Sequence, residues 1–262
     1  MLLRSITLRP GTDDRDDYPF VVPAVRALAE SPLDIDTPVT FLVGENGSGK
    51  STLLEGIACA AGSIAVGGAS LDRDSTLTAA RELASHLRLT WTNRTRRGFF
   101  LRAEAFFGYV KHLEQLNYEN RAALDAVNSR SRTAPEVPEP EERAWLGGDG
   151  YDERSHGEAF LDLFASRVHQ DGLYILDEPE APLSPVRQIG LLALVMDAAS
   201  RGAQFLIATH SPILMALPGA AIVQLDERGF TPTRWDEIEH VTLTRQFLND
   251  PESFLRHLAS QP

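Results

Sequence analysis

The stretch VTFLVGENGSGKSTLL at residues 39–54 constrains the fold of this chain more than any other. It begins with an apolar run typical of a buried strand, passes through Gly44-x-x-x-x-Gly49-Lys50-Ser51, and ends in a helical pattern. Glycines let such a turn curl so that successive backbone N–H groups point toward an anion at the start of a helix. The stretch therefore predicts a phosphate-binding loop between a central strand and a helix.

The side chains of this loop have separate expected tasks. Lys50 can reach the β- and γ-phosphates of a nucleoside triphosphate, and the Ser51 hydroxyl can ligate Mg²⁺. The chain uses arginine almost everywhere else and has only one other lysine, Lys111, so a lysine here indicates a chemical requirement. The residues expected to contact the nucleotide are Gly44, Glu45, Asn46, Gly47, Ser48, Gly49, Lys50, Ser51 and Thr52.

Composition excludes several classes of protein. A chain of 262 residues with 43% hydrophobic content builds a sizeable core, which excludes global disorder. The net charge of −12 argues against an overall basic coat for nucleic acid and favours a cytoplasmic protein. The single cysteine, Cys59, is expected to be a small core residue on a helix.

No direct membrane insertion is expected. The N-terminal MLLRSITLRP lacks the apolar core of a signal peptide and predicts a first strand. The longest apolar stretch, IGLLALVM at 189–196, falls short of the roughly 20 residues that a spanning helix needs. Any role at a membrane would therefore act through a partner.

Alternating strand and helix patterns predict an α/β fold with a mainly parallel sheet and antiparallel pieces at the edge. LRLTWTN and GFFLRA, separated by RTRR, are interpreted as a hairpin. The whole chain, 1–262, is expected to form one domain, with a helical subdomain at 103–160 that contains a flexible loop at 131–150. The tail predicts two short helices, the second opened by Asp250 and Pro251. The strand-like runs are 2–8, 39–43, 87–92, 98–102, 173–176, 204–208 and 221–225.

Two carboxylates follow the apolar run in GLYILDEPE at 172–180. An acid at the end of a buried strand beside the phosphate-loop strand is placed to bind Mg²⁺, which fits Asp177. Glu178 is placed to polarise an attacking water. Strand ends often carry exposed acids, but a phosphate loop elsewhere in the chain favours the functional interpretation.

A histidine ends the next strand, in QFLIATHSPILMA at 204–216, where a helix is expected to follow Thr209-His210-Ser211. Ligands of parallel α/β folds bind at the carboxyl ends of strands. His210 is therefore expected to bond a γ-phosphate or position a water, although lone histidines are more often structural.

Three further features carry alternatives. SHGE at 155–158 has the spacing of a capping box, with Ser155 opening a helix. Tyr18 and Phe20 are candidates for stacking on adenine or for core packing. A basic cluster on the expected hairpin would meet DNA phosphates or form a solvated tip; its members are Arg94, Arg96, Arg97 and Arg102.

GENGSGKST, LYILDEPE and ATHSP, in this order, resemble the Walker A, Walker B and switch-histidine motifs of ABC-type ATPases. The likeness is to the soluble branch that includes the structural-maintenance-of-chromosomes and RecF-like ATPases, with APLSPVRQ at 181–188 in the place of the D-loop. The chain also resembles compact, stand-alone bacterial ATPases. The resemblance implies a P-loop NTPase fold, ATP and Mg²⁺ as cofactors, and hydrolysis of ATP by Glu178, His210 and Lys50.

It further implies that ATP is bound between two subunits of a homodimer. SHGE lies one helix ahead of Walker B, so Ser155 and the Gly157 amide would contact the nucleotide of the partner. The glutamine of the family's Q-loop is not evident; FLRAEAFF stands there, with Glu104 as the substitute Mg²⁺ ligand and Arg102 as a neighbour.

The process served by the cycle stays open among DNA repair, defence against phage and regulation of a protein partner. A transporter subunit is an alternative function. Against it argue the missing Q-loop glutamine and SHGE, which stands in the place of the family's signature motif but lacks its leading leucine and second glycine. A small-molecule kinase shares the P-loop but would not need the acid pair followed by THS.

Overall fold

The structure is a computed structural model that describes residues 1–12, 15–65, 77–103, 156–226 and 229–259. Its strands are β1 (Leu3–Leu8), β2 (Leu33–Asp34), β3 (Val39–Gly44), β4 (Ile64–Ala65), β5 (Leu87–Trp91), β6 (Gly98–Arg102), β7 (Leu173–Asp177), β8 (Gln204–Ala208), β9 (Ala221–Asp226) and β10 (Gly229–Thr233). Its helices are α1 (Pro23–Glu30), α2 (Lys50–Ala61), α3 (Thr78–His86), α4 (His156–Arg167), α5 (Pro185–Ser200), α6 (Glu239–Asn249) and α7 (Pro251–Ala259).

The main sheet has seven strands in the order β10-β9-β3-β8-β7-β6-β4. Every neighbouring pair is parallel except β9 and β10, which are antiparallel at one edge. The sequences of β7 (LYILD) and β8 (QFLIA) are buried at every position, as expected for central parallel strands covered on both faces. The expected α/β fold with a mainly parallel sheet is confirmed.

A second, antiparallel sheet has the order β2-β1-β5. Buried Gln204, at the start of β8, connects it to the main sheet. Oε1 of Gln204 accepts hydrogen bonds from the N–H groups of Leu2 (3.0 Å) and Leu3 (2.7 Å), and its Nε2 donates to the Leu3 carbonyl (2.8 Å). One buried amide therefore fixes the first strand against the central sheet.

The expected hairpin of LRLTWTN and GFFLRA is wrong. β5 pairs with β1 in the small sheet, whereas β6 pairs in parallel with β4 and β7. The two strands differ in burial: β5 is half-exposed, while the centre of β6, Phe99–Leu101, is buried. Gly98, with φ +119°, lies so close to the backbone of Leu173 that a Cβ would overlap it, so only glycine allows this approach of β6 to β7.

Helices cover both faces of the main sheet. On one face α1, α2, α3 and the small sheet enclose a core that includes Leu53, Leu54 and Ile57. On the other, α4, α5 and the start of α6 enclose a second core that includes Phe160 and Phe205. Each such fully buried side chain contributes about 1.5–3 kcal/mol relative to exposure. Cys59 lies on α2, half-buried against the first core, as expected.

The chain after β8 differs from its expected helix. A three-residue 3-10 turn, Leu214–Ala216, stands there instead. Pro218 disfavours helical backbone at the residue before it, so the turn cannot extend. The two tail helices, α6 and α7, are confirmed, and Oδ1 of Asp250 accepts the Ser253 N–H at 3.1 Å at the start of α7.

The expected helical subdomain at 103–160 and its loop at 131–150 fall almost entirely outside the described residues, which resume at 156 with α4. Across the described part of the chain, no helix has both the length and the apolar character needed to cross a membrane.

Candidate functional site

The loop between β3 and α2 is shaped by two left-handed glycines, Gly47 (φ +82°) and Gly49 (φ +89°). A Cβ on Gly49 would lie 2.9 Å from Cγ2 of Val22, so the loop also packs closely on the segment before α1. The N–H of Ala24 donates to the Ser48 carbonyl at 2.9 Å and ties α1 to the loop. This backbone leads directly into the N-terminus of α2, where an anion is favoured.

Lys50, only 6% exposed, lies inside the loop. Its Nζ donates to the carbonyls of Gly44 (2.7 Å) and Glu45 (2.9 Å) and contacts the hydroxyl of Ser48 (3.4 Å). Burial lowers the pKa of Lys50, against the charges of Glu178 and Asp177. The Lys50 ammonium is therefore held inside the loop, where it can replace its hydrogen bonds to loop carbonyls with hydrogen bonds to phosphate oxygens.

The hydroxyl of Ser51 donates to Oδ1 of Asp177 at 3.1 Å. The strand of Asp177 was expected beside the phosphate-loop strand, but β8 lies between them. The contact still forms because α2 crosses the sheet and packs on β7. A hydroxyl paired with a carboxylate is an oxygen donor set that fits Mg²⁺, with the remaining ligands from phosphate and water.

Asp177 is 4% exposed, and burial raises its pKa to about 6. The Ser51 hydrogen bond and the charge of Arg102 oppose that shift. The protein alone therefore offsets only part of the cost of burying this charge, as expected of a carboxylate that also binds a cation.

Arg102 ends β6 directly beside Asp177 in the strand register. Its Nη2 lies 2.7 Å from Oε1 of Glu55, and its Nε lies 3.7 Å from Oδ2 of Asp177. The sequence interpretation named Arg102 but missed Glu55. The available signal was an acid within the otherwise apolar helix LLEGIACAA.

Glu178 follows β7 in a left-handed conformation, with φ +50°. Its N–H donates to the Ala208 carbonyl at 2.9 Å, and its Oε1 lies 4.0 Å from Nε2 of His210. A non-glycine residue in this conformation costs of order 1–3 kcal/mol, and such strain concentrates at functional sites. The turn separates Glu178, which is half exposed, from the buried Asp177 next to it.

His210 is held by its backbone. Its N–H donates to Oε1 of Glu180 at 2.7 Å, and the adjacent Ser211 hydroxyl donates to the side chain of Gln188 at 2.6 Å. Glu180 was missed by the sequence interpretation, although it is the third acid of DEPE. A second missed residue, His240, lies with its ring 6.1 Å from that of His210 and carries no local sequence signal.

The two aromatic candidates, Tyr18 and Phe20, lie in different environments. Phe20 is 3% exposed and packs edge-on against His86, so of its two alternatives the structure supports core packing. Tyr18 is 58% exposed, with its hydroxyl 3.4 Å from Oγ1 of Thr52. Its ring is therefore available beside the phosphate loop.

The four arginines expected on one hairpin lie at two different places in the fold. Arg94, Arg96 and Arg97 lie exposed in the linker between β5 and β6, whereas Arg102 lies at the far end of β6 near Asp177. Ser155 and Glu104 lie outside the described residues, and Gly157 is the second residue of α4. Within the described ranges, no group of three or more His, Cys, Asp or Glu side chains could hold a metal ion.

Two family models match the chain at this site. Residues 24–121 match an "AAA domain", and residues 159–216 match "AAA domain, putative AbiEii toxin, Type IV TA system". The first match covers the phosphate loop, and the second covers Asp177, Glu178 and His210. The phosphate loop between β3 and α2, together with these two matches, shows a P-loop ATPase fold. Domains with this ATPase fold bind and hydrolyse nucleotides.

Solved ATPase domains are similar at low identity. One is cbiO1 of Clostridium perfringens, part of the ABC transporter complex cbiONQ: identity 19%, coverage 88% of this chain and 91% of that chain, TM-score 0.47. A second is the ADP conformation of an ATP-binding cassette of an ABC transporter, at 18% identity, 87% and 91% coverage, and a TM-score of 0.42. A third is a dimeric ATP-binding cassette bound to ADP and Pi, at 17% identity, 79% and 90% coverage, and a TM-score of 0.42. No curated protein matches the chain.

Proposed function

We propose that this chain hydrolyses ATP to ADP and phosphate, and that ATP closes a homodimer which opens again after hydrolysis. The observation that carries the proposal is the 3.1 Å hydrogen bond from Ser51 to Asp177. It supports the proposal because it joins the two side-chain oxygens that would bind Mg²⁺, next to the exposed carboxylate of Glu178.

Lys50 binds the β- and γ-phosphates, and its position inside the loop supports this role because the ammonium already bonds three oxygens there. Ser51 and Asp177 would hold Mg²⁺, which would neutralise charge on the phosphates. Glu104 is proposed as a further ligand. The buried, poorly compensated carboxylate of Asp177 supports the metal site.

Glu178 accepts a proton from the water whose oxygen attacks the γ-phosphorus, and the bond to the bridging oxygen of ADP breaks. His210 donates a hydrogen bond to the γ-phosphate. The 4.0 Å separation of Glu178 Oε1 and His210 Nε2 supports this division of roles, since a water between the two groups could donate to Glu178 and accept from His210.

The dimer part of the proposal rests on α4. Ser155 caps this helix, and Ser155 with the Gly157 amide contacts the ATP of the partner subunit. Support comes from the position of Gly157 in the first turn of α4, because a helix N-terminus favours an incoming phosphate. Interactions made only with the ATP-bound partner would drive closure. DNA repair and defence against phage are the processes proposed, and ATPase assays with and without DNA test the first.

Glu178→Gln tests the mechanism. We expect this variant to bind ATP, to hydrolyse it at least about 100-fold more slowly, and to form a dimer with ATP and Mg²⁺ in size-exclusion chromatography with light scattering. The matched control is Asp171→Asn, because Asp171 also has a positive φ (58°) but stands before β7, at the opposite edge of the sheet. Wild-type turnover by Glu178→Gln would refute the assignment of the base, and a monomer with and without ATP would refute the dimer.

A further inference from the structure

A second imidazole faces His210 from the C-terminal part of the chain. His240 is the second residue of α6, and its ring lies 6.1 Å from the ring of His210 at an interplanar angle of 51°. The two residues come from separate elements, since His210 follows β8 and His240 follows β10. His210 therefore has a neighbouring imidazole that lies outside the three motifs.

The start of α6 is fixed in place by contacts on several sides. Ile238 and Val241, on either side of His240, are both buried in the second core. Nε1 of Trp235 donates to the Pro212 carbonyl at 2.8 Å, which joins the segment before α6 to the loop after His210. Displacement of His240 would therefore require movement of the core.

The environment of His240 favours the neutral form of its ring. Burial lowers the pKa of His240, and the nearby charges of His210 and Lys50 lower it further, against the charge of Glu239 and a hydrogen bond with the His210 backbone. A neutral imidazole adds no second cation near Lys50, and it retains one donor and one acceptor nitrogen.

Hydrogen bonds of the His210 backbone do not fix the rotation of its ring. The backbone N–H of His210 donates to Glu180, but Nε2 of the ring is buried and has no hydrogen-bond partner among the described residues. Glu178 lies on one side of this ring at 4.0 Å, and His240 lies on another. Nε2 of His240 is likewise buried and without a hydrogen-bond partner in the described ranges.

We propose that His240 is a positioning residue for His210, which it holds in the orientation that directs Nε2 toward Glu178 and the γ-phosphate. The inference rests on the proposed ATPase function of that site. It also connects α6 to the nucleotide site, because the first turn of α6 carries His240.

Two substitutions separate chemistry from volume. His240→Phe keeps a ring and removes both nitrogens, whereas His240→Gln keeps a donor and an acceptor. We expect His240→Phe to lower kcat roughly 10-fold with an unchanged KM for ATP, and His240→Gln to recover most of the loss. The control is His169→Phe, since His169 is exposed at the opposite edge of the sheet. Wild-type turnover by His240→Phe, or equal losses in the Phe and Gln variants, would overturn the proposal.

A double-mutant cycle tests whether His240 acts through His210. In a His210→Ala background, we expect His240→Phe to have no further effect on kcat. An additive loss would show that His240 acts independently, and the proposal would be wrong.

Ring signals of the histidines in an NMR spectrum recorded without nucleotide test the same contact apart from turnover. We expect His240→Phe to shift the His210 signals and His169→Phe to leave them in place; unshifted His210 signals would overturn the inference. If the wild-type protein has no ATPase activity, or if Lys50→Ala leaves that activity unchanged, the proposed function is refuted. The NMR result then tests the contact of His240 with His210 by itself.

Discussion

Arg102 shares its guanidinium between two buried acids of different elements: Nε lies 3.7 Å from Asp177 on β7, and Nη2 lies 2.7 Å from Glu55 on α2. Glu55 lies one helical turn after Ser51, on the helix that supplies the other proposed Mg²⁺ ligand. The arginine thus stabilises the crossing of α2 over the sheet on which the Ser51–Asp177 contact depends.

Replacement of this arginine is expected to destabilise the protein. Arg102→Leu should lower the free energy of unfolding by about 1–3 kcal/mol, below the cost of breaking a fully buried pair because the guanidinium is 35% exposed. It should also raise the pKa of Asp177 further, since Arg102 is one of the groups that lower it. Urea unfolding measures the first effect, with Arg94→Leu, at an exposed linker position, as the control.

Part of that loss should be recovered by a second change. Glu55→Gln in the Arg102→Leu background removes the buried charge that has lost its arginine, so the double variant should be more stable than Arg102→Leu alone. Strictly additive losses would contradict the assigned coupling.

Asp177→Asn should stabilise the fold while it abolishes Mg²⁺-dependent turnover. The folded-state pKa of Asp177 is raised to about 6, so the folded protein binds the proton more tightly than the unfolded chain does. Stability from this group is therefore greatest below the ordinary pKa of an aspartate and decreases as pH rises toward 6, by on the order of 1–3 kcal/mol. In thermal unfolding at neutral pH, Asp177→Asn should have a higher Tm than the wild type, and its Tm should vary less than that of the wild type between pH 4 and 7.5. A Tm of Asp177→Asn below that of the wild type at neutral pH would contradict the prediction, and Asp171→Asn is the control.

The two ends of α2 offer a matched test of the phosphate loop. Gly49 precedes the helix and Gly62 follows it, both in left-handed conformations. Ala at Gly62 meets nothing within 4 Å, so it should cost only backbone strain, about 1 kcal/mol. Ala at Gly49 would also overlap Val22, so Gly49→Ala should cost about 2–4 kcal/mol and weaken nucleotide binding. Denaturant midpoints compare the two, and equal losses would exclude the overlap as a cause.

Tyr18 should affect nucleotide affinity without affecting the fold. Because its ring is exposed, Tyr18→Ala should leave the Tm unchanged. Loss of stacking should weaken ATP binding by about 1–3 kcal/mol, the range for a base on an aromatic ring. Tyr18→Phe should bind as the wild type does in calorimetric titration. An unchanged Kd for Tyr18→Ala would remove the stacking role.

Complementation between subunits tests the composite nucleotide site. Lys50→Ala and Ser155→Ala homodimers should each be inactive, or nearly so. In a mixed dimer, one site would combine the intact Lys50 of one protomer with the intact Ser155 of the other. In a random equimolar mixture half of the dimers are mixed, and each of these has one intact site of two. Mixing should therefore restore activity per mole toward about a quarter of that of the wild type, and an absence of recovery would argue that Ser155 does not act in trans. Loss of the cap alone should cost about 1 kcal/mol of stability.

Much of this site could be predicted because each motif ends an apolar run. The carboxyl ends of parallel strands share an edge, so Asp177 and His210 were expected near the loop that follows β3. Their strands lie where the apolar runs indicated. The insertion of β8 between β3 and β7 could not be inferred, because strand order depends on contacts between residues far apart in the chain.

Two of the missed residues, Glu55 and His240, belong to no motif of the site and reach it only through the fold. Glu55 occupies one position of an apolar helix, and its partner Arg102 follows 47 positions later on a different strand. His240 lies in the tail, and only the fold brings it to His210. The expected hairpin failed for a related reason: sequence proximity favours pairing of β5 with β6, but the burial of each strand selected a distant partner.

The amide of Gln204 has a consequence for the order in which the chain acquires its structure. Its hydrogen bonds to Leu2 and Leu3 span 202 and 201 positions. During synthesis from the N-terminus, β1 can pair with β5 early but must await the strand that carries Gln204 before it docks on the central sheet. A ribosome-bound chain that ends before Gln204 lacks β8. The small sheet of such a chain would remain undocked and accessible to chaperones.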